Sequence, residues 1–174
     1  IFIKDKVSPK DIPFKLNRAQ RRVLNKLEKL RKAGKPIKFI LLKARQWGGS
    51  TLVQIYMLWI MLVHRRNWNT VICGDVETQS RNVRAMITKA LNKYPSYLLG
   101  ETVKFTPFEG SSKNKVIQNT NCVVSIGSFQ KPDTLRSGDI SGAHLTEIGL
   151  WRATPGKKPE DLIQSISGSI YDTA

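Results

Sequence analysis

Apolar residues recur along this chain at two different spacings, which predict alternating helices and strands. The first helical segment begins at Asn17, a candidate N-cap with Gln20 three residues further on, and Gly34 ends it. Helical spacing predicts helices over residues 17–33, over residues 52–63, from about residue 75 to residue 94, and from residue 159 onwards.

Short runs of β-branched and other apolar residues predict the strands. We expect strands over residues 38–42, 70–74, 103–106, 115–118, 122–126 and 143–146. The runs at 38–42 and 70–74 are too uniform for a one-sided sheet, which favours burial on both faces. The alternation predicts a three-layer α/β fold with a mostly parallel central sheet, and residues 103–126 predict a β-hairpin or meander insertion.

A glycine-containing turn, Lys43-Ala-Arg-Gln-Trp-Gly-Gly-Ser-Thr51, separates the first of these strands from the helix after it. This layout is typical of phosphate-binding loops, in which backbone N–H groups approach a polyphosphate and a hydroxyl reaches Mg²⁺. The usual pattern, G-x-x-x-x-G-K-[ST], is broken twice, because Lys43 replaces its first glycine and Gly49 replaces its lysine. From this turn alone, a phosphate loop and a simple glycine-rich β–α turn are both open.

Two further segments bear on nucleotide chemistry. Ser141-Gly-Ala-His-Leu-Thr-Glu147 predicts a short buried strand that ends in an acid. Nucleotide-hydrolysing folds place a carboxylate at such a strand end to orient the attacking water, although a solvated loop acid fits Glu147 as well. Upstream, Phe14 could stack on an adenine. Gln20 could hydrogen-bond the adenine or could serve only the helix cap.

In this order and spacing, the three segments resemble the ATPase domain of the large terminase subunit of tailed bacteriophages, the motor that packages DNA. The stretch from Lys43 to Ser50 is similar to the deviant phosphate loop of that family, with the working lysine at the front. Thr134-Leu-Arg136-Ser-Gly138 is similar to the Arg-Gly segment that precedes the acidic strand in the family. The chain departs from the family at Thr146, where an Asp usually helps to hold Mg²⁺.

The resemblance implies a P-loop NTPase fold of the ASCE type and ATP hydrolysis with Mg²⁺, coupled to translocation of double-stranded viral DNA into a procapsid. It implies that Glu147 is the general base or water-orienting group and that Arg45 or Arg136 is the arginine finger. Ser50 would bind Mg²⁺ directly and Thr146 through a water. The implied ATP contacts are Phe14, Gln20, Lys43, Arg45, Gln46, Trp47, Gly48, Gly49, Ser50 and Thr51.

The same resemblance implies partners and a location. The implied partners are double-stranded DNA, a portal protein, the small terminase subunit and further copies in a ring, in the cytoplasm of an infected bacterial host. Residues 1–174 would form a single ATPase domain, an N-terminal fragment without the rest of the ATPase core and without the nuclease domain.

The charge of the chain agrees with a polyanionic partner. The formal net charge is +16, and residues 1–45 hold 15 Lys and Arg against three acids, a local net charge of +12. A solvated helix face is the alternative. Membrane binding is not expected, because the basic helix lacks a strongly apolar aromatic face. Cys73 and Cys122 fit buried reduced thiols, and with only His64 and His144 besides them they form no convincing zinc site.

Two other functions stay open. One is another nucleic-acid-dependent P-loop ATPase of the helicase type. The other is a basic nucleic-acid-binding module with an inactive nucleotide loop. The absence of a lysine at position 49 and of an Asp at position 146 favours the inactive module, and the presence of Lys43 and Glu147 favours an ATPase.

Overall fold

Both helices and strands occur along the chain. The computed structural model describes residues 1–4, 8–44, 47–106, 114–135 and 139–170. The helices are α1 (Arg18–Lys32), α2 (Gly49–Trp59), α3 (Glu77–Asn92) and α4 (Pro159–Ser169). The strands are β1 (Phe2–Lys4), β2 (Asp11–Pro13), β3 (Asn69–Gly74), β4 (Asn114–Ile117), β5 (Cys122–Ser128) and β6 (Gly142–Leu145).

The central sheet is mixed and mostly parallel, in the order β4-β5-β3-β6. Strand β3 runs parallel to both β5 and β6, and β4 runs antiparallel to β5. The prediction of an α/β fold with a mostly parallel sheet is therefore confirmed. Strand β6 pairs with β3 as far as Cys73 opposite Leu145, so the carboxyl ends of both strands open at the same edge of the sheet.

Alternate residues of β3 face two different hydrophobic clusters. Ile72 packs with residues of α2, α3 and β5, whereas Val71 and Cys73 pack with Leu162 and Ile166 of α4. Helices thus cover both faces of the sheet. Burial of each Leu or Ile in these clusters stabilises the fold by about 1.5–3 kcal/mol.

Helix α2 is a core helix, as the apolar run after the glycine turn predicts. Leu52, Leu58 and Met61 are almost completely buried, and the helix continues into a π-helical turn at Ile60–His64. Among the described residues, no helix has both the length and the apolar character needed to cross a membrane.

The predicted hairpin is present, but it does not form an insertion beside the sheet. Strands β4 and β5 form the hairpin, and β5 lies inside the central sheet between β4 and β3. The run at residues 103–106 makes only an isolated bridge, between Phe105 and Ile117. Strand β5 lies inside the sheet because its Cys122, Val124 and Ile126 are buried against α2 and α3.

The predicted strand over residues 38–42 is wrong. The structure has no regular element there, and the side chains of Ile40 and Leu42 are each 99% exposed. A strand needs a neighbour that takes up its backbone N–H and C=O groups. None of the strands in the described ranges pairs with this segment, so its apolar composition lacks the partners that burial requires.

Strands β1 and β2 form a short antiparallel hairpin that the sequence analysis does not predict. Its Asp11 accepts a hydrogen bond of 2.6 Å from Lys89 of α3 and another from Lys93. These lysines, Lys89 first, hold the pKa of Asp11 below its usual range. The hairpin is thereby tied to α3, which fixes the chain just before α1.

The predicted capping box of α1 is confirmed, with Asn17 and Gln20 exchanging two hydrogen bonds of 2.9 Å. Further along, Glu28 of α1 accepts two hydrogen bonds of 2.7 Å from Arg31 and one of 2.8 Å from Tyr56 of α2. Arg31 first, and then Tyr56, lower the pKa of Glu28 to about 2. This carboxylate therefore joins α1 to α2.

The Glu28 contact predicts a pH-dependent part of the stability. Because its pKa falls from 4.5 to about 2 on folding, its contribution is complete above pH 4.5 and is lost as the pH falls towards 2. Glu28→Gln should lower the free energy of unfolding at neutral pH by about 1 kcal/mol. Thermal unfolding between these pH values should be less pH-dependent in Glu28→Gln than in the wild type. Glu101→Gln, at an exposed carboxylate, is the control, and an unchanged pH dependence in Glu28→Gln would contradict the assignment.

Candidate functional site

Two glycines form the start of α2. Gly48 has a left-handed backbone (φ 78°) and precedes the helix, and Gly49 is its first residue. No side chain in the described part of the chain caps this helix start. The first backbone N–H groups of α2 therefore lack side-chain acceptors there, which is the condition under which a helix start binds an anion.

Both glycines have side chains packed closely against them, and the left-handed backbone favours glycine at Gly48. A Cβ atom at Gly48 would lie 2.7 Å from Nε2 of Gln20, and one at Gly49 would lie 2.9 Å from Cδ of Lys43 and 3.1 Å from the Trp47 ring. The side chain of Lys43 thus packs across the start of α2. The displaced lysine of the loop reaches the helix start, where the usual pattern places its own lysine.

The end of β6 meets the start of α2 through two hydroxyl groups. Oγ of Ser50 lies 3.1 Å from Oγ1 of Thr146, although the two residues are 96 positions apart. Thr146 is buried, and its backbone N–H donates to the carbonyl of Cys73 in β3 at 2.9 Å. The sheet therefore fixes one hydroxyl and the helix start fixes the other.

Glu147 follows directly and is exposed. Its backbone is left-handed (φ 58°), which costs a non-glycine residue roughly 1–2 kcal/mol and often marks a functional position. Nε2 of Gln79, in the first part of α3, donates a hydrogen bond to its carboxylate. Oε1 of Gln79 accepts from the N–H of Asp75 at 3.0 Å, so the end of β3 positions the amide that holds Glu147.

His144 lies on β6 two residues before Thr146. Burial, and then the charge of Lys43, lower the pKa of His144 to about 4, so the imidazole is neutral at pH 7. Its Nδ1 atom is buried and makes no hydrogen bond within the described residues.

A cleft of about 540 Å³ lies beside the loop. Its walls come from the N-terminal hairpin, the start of α1 and the start of α2. The cleft is lined by Ile3, Ile12, Pro13, Phe14, Lys15, Asn17, Gln20, Trp47, Gly48 and Thr51. It thus places the predicted adenine contacts, Phe14 and Gln20, in one open cleft with three of the predicted loop contacts, Trp47, Gly48 and Thr51.

The side chain of Gln20 connects the cap of α1 to the loop. Its Oε1 accepts from the N–H of Asn17, while Nε2 donates to the carbonyls of Gly48 at 3.1 Å and Trp47 at 3.4 Å. The capping alternative for Gln20 is therefore present in the structure. A contact with adenine would require this amide to exchange at least one of these partners.

Some predicted residues lie outside the described ranges, and some residues at the site were missed by the sequence analysis. Arg45, Gln46 and Arg136 are outside the described residues. Gln79 and His144 were not predicted as site residues. Gln79 has one usable signal, since the start of a helix after a parallel strand lies at the sheet edge that carries the acid of the next strand.

Gly48→Ala should destabilise the loop, because Gly48 has a left-handed backbone and lies close to the Gln20 amide. The alanine would carry the left-handed strain of about 1–2 kcal/mol and would displace the Gln20 amide. Urea unfolding should show a loss of at least that size. Gly156→Ala is the control, because a Cβ there meets no atom within 4 Å. Equal stability of the two variants would contradict the assigned role of Gly48.

Comparisons with known proteins give no relative: no family model, no curated protein and no solved structure matches this chain. The resemblance to large terminase subunits therefore depends on the sequence motifs alone.

Proposed function

We propose that this chain is an ATP-hydrolysing motor domain of the large terminase type, with a P-loop fold of the ASCE class, that couples hydrolysis to movement of double-stranded DNA. The observation that carries the proposal is the meeting of the glycine turn with the acidic strand. Ser50 at the start of α2 lies 3.1 Å from Thr146, the residue that precedes Glu147. A phosphate loop and a catalytic carboxylate need this proximity.

Lys43 supplies positive charge to the bound phosphates. Its side chain crosses Gly49 at the helix start and its charge reaches His144 on β6. In this position the ammonium neutralises charge on the β- and γ-phosphates, while backbone amides of residues 46–51 bind their oxygens. Because the His144 imidazole is neutral at pH 7, it adds no positive charge to that of Lys43.

The two hydroxyls are suitable for magnesium. Among the described residues, no three His, Cys, Asp or Glu side chains cluster as a metal site, so the ion would be held largely by the nucleotide and by waters. Mg²⁺ in nucleotide sites ordinarily keeps several waters and takes few protein ligands. Ser50 would bind the ion directly and Thr146 through a water. The ion would neutralise charge that develops on the phosphates.

Glu147 orients and deprotonates the attacking water. The hydrogen bond from Gln79 and the left-handed backbone both fix its carboxylate at the edge of the sheet. Arg45 and Arg136 are candidates for the arginine finger, Arg45 within its own subunit and Arg136 towards a neighbouring one.

The cleft beside the loop takes the base. Phe14 stacks on the adenine, with Trp47 and Thr51 on the loop side of the cleft. Gln20 reads the adenine edge by exchanging one of its carbonyl partners, Trp47 or Gly48. The proposed partners are double-stranded DNA, a portal protein, the small terminase subunit and further copies in a ring, within the host cytoplasm.

A second candidate is a basic nucleic-acid-binding module with an inactive nucleotide loop. Two contacts within the protein favour it. Gln20 donates to the loop carbonyls and Gln79 donates to the Glu147 carboxylate, so groups that a nucleotide and its water would need are already engaged. No observation on the described residues favours a helicase-type ATPase over the other two candidates. DNA-stimulated release of phosphate from ATP separates the motor from the inactive module.

Lys43→Ala should abolish ATP hydrolysis and weaken ATP binding while the protein stays folded, because the phosphates lose the ammonium of the lysine that packs at the start of α2. Phosphate release and ATP titration measure the two effects, and Lys35→Ala, at an exposed lysine, is the control. Gly49→Lys should partly restore binding only in the Lys43→Ala background, where the added Cβ no longer lies 2.9 Å from Lys43 and only the Trp47 ring, at 3.1 Å, has to shift slightly. Normal turnover in Lys43→Ala would exclude this role.

Glu147→Gln should separate chemistry from binding. A group that acts on water contributes to the transition state, so turnover should fall by roughly 10² or more while ATP affinity changes only a few-fold. The amide has the same shape and leaves the backbone at this position unchanged. Single-turnover kinetics and ATP titration measure the two quantities. Parallel losses of affinity and rate would instead make Glu147 a metal ligand or a structural acid.

A further inference from the structure

Six cationic side chains lie on one exposed face of α1. They are Arg18, Arg21, Arg22, Lys26, Lys29 and Lys32, and all six are exposed. At about 100° per residue, their directions fall within an arc of about 140°. The opposite face of α1 is used for packing, with Leu27 buried against Tyr56 and Ile60 of α2.

At the start of α1 this charge pattern opposes the stability of the helix, whereas Lys29 and Lys32 in the last turn favour it. The first turn of α1 contains no acid, so Arg18 and Arg21 lie at the positive end of the helix dipole. The pairs Arg18/Arg22 and Arg22/Lys26 place like charges four residues apart, each at a cost of about 0.2–0.5 kcal/mol. Glu28 engages Arg31, which is not one of the six. Among the described residues, none of the six forms an ion pair within 4 Å.

The dimensions of the face match a nucleic-acid backbone. Residues 18 to 32 span about 21 Å along the helix, the length of about six phosphate steps of one DNA strand. The exposed positions of α1 carry no aromatic side chain, so the face offers no stacking platform for the bases of a single strand. A face of this kind contacts phosphates without reading bases, which suits a duplex.

The face also belongs to the helix that holds the nucleotide loop. Asn17 donates to the carbonyl of Trp47 at 3.2 Å, and Gln20 donates to the carbonyl of Gly48 at 3.1 Å. A ligand on α1 therefore binds the element that positions the loop.

We propose that the exposed cationic face of α1, from Arg18 to Lys32, is the surface on which this chain binds the phosphate backbone of double-stranded DNA. The choice of DNA rests on the proposed motor function, whereas the surface rests on the charge and exposure of α1. Six phosphate contacts would give a log–log salt slope of about 5.

The test compares two double variants on α1, Arg21→Gln/Arg22→Gln and Lys29→Gln/Lys32→Gln. Gln has nearly the helix propensity of Lys and Arg, so the variants should fold. Removal of like-charge repulsion should leave the Tm of Arg21→Gln/Arg22→Gln unchanged or raised, whereas Lys29→Gln/Lys32→Gln also loses the favourable charges of the last turn and should lower the Tm slightly. Binding to a short duplex of random sequence is measured by fluorescence anisotropy over a salt series, without nucleotide. Each double variant should reduce the slope by about 2 and weaken binding at low salt.

Arg152→Gln/Lys158→Gln is the matched control. It removes the same charge at exposed positions, and Lys158 immediately precedes α4 on the opposite face of the sheet. The control should keep the wild-type slope. Equal effects of control and α1 variants, or no effect of either, would overturn the proposal, because net charge or another surface would then explain binding. Tighter binding of poly-glutamate than of duplex DNA would also overturn it in favour of an acidic protein partner.

The assay separates this inference from the proposed function. If the α1 variants lose DNA binding and the wild type hydrolyses no ATP, the surface assignment stands and the motor function fails. If ATP hydrolysis is intact and DNA binding is unaffected in both variants, the surface assignment fails alone. In an active motor, the α1 variants should retain basal ATP hydrolysis and lose its stimulation by DNA.

Discussion

The parallel pairing of β3 with β6 is the constraint on which the site depends. It brings the carboxyl ends of two strands to one edge of the sheet, where Thr146 donates its backbone N–H to Cys73. From that edge, Thr146 reaches Ser50 at the start of α2, and Gln79 after β3 reaches Glu147 after β6. Without this register, the glycine turn and the acid would lie on separate parts of the surface.

Local signals in the sequence were sufficient for much of the fold. The capping box at Asn17 and Gln20 and the apolar run of β3 each give an element that the structure contains. These elements are determined by neighbours in sequence or by burial on both sides. Residues 38–42 are also apolar, but a strand needs a neighbouring strand to pair with its backbone, and composition does not predict whether one is present.

Part of the candidate site could also be predicted from local sequence motifs. Lys43, Ser50, Thr146 and Glu147 could be proposed because each belongs to a motif with a known spacing, and the structure brings Ser50 and Thr146 into contact. Gln79 and His144 belong to no motif. The place of Gln79 at the start of the helix after β3 is its one sequence signal, and His144 is related to the loop through the three-dimensional neighbourhood of β6. The double use of Gln20, as cap and as loop ligand, likewise depends on the position of α1 beside Gly48.

The packing at the two glycines and the charge distribution agree with the proposed anion site. The absence of a side chain at Gly48 and Gly49 lets Gln20 and Lys43 pack closely against the helix start. The cations of α1 lie on the exposed side of the same helix that supplies Gln20. A phosphate-bearing ligand in the cleft and a phosphate backbone on the helix would therefore bind neighbouring parts of one unit.

The most direct test of the central claim is a calorimetric titration of the chain with ATP in the presence and absence of Mg²⁺, with adenosine as the control ligand. If the turn, Lys43 and the Ser50–Thr146 pair form a polyphosphate site, ATP should bind with one site per chain, more tightly with Mg²⁺ and far more tightly than adenosine. Equal binding of adenosine and ATP, or no binding of ATP with Mg²⁺, would contradict the account.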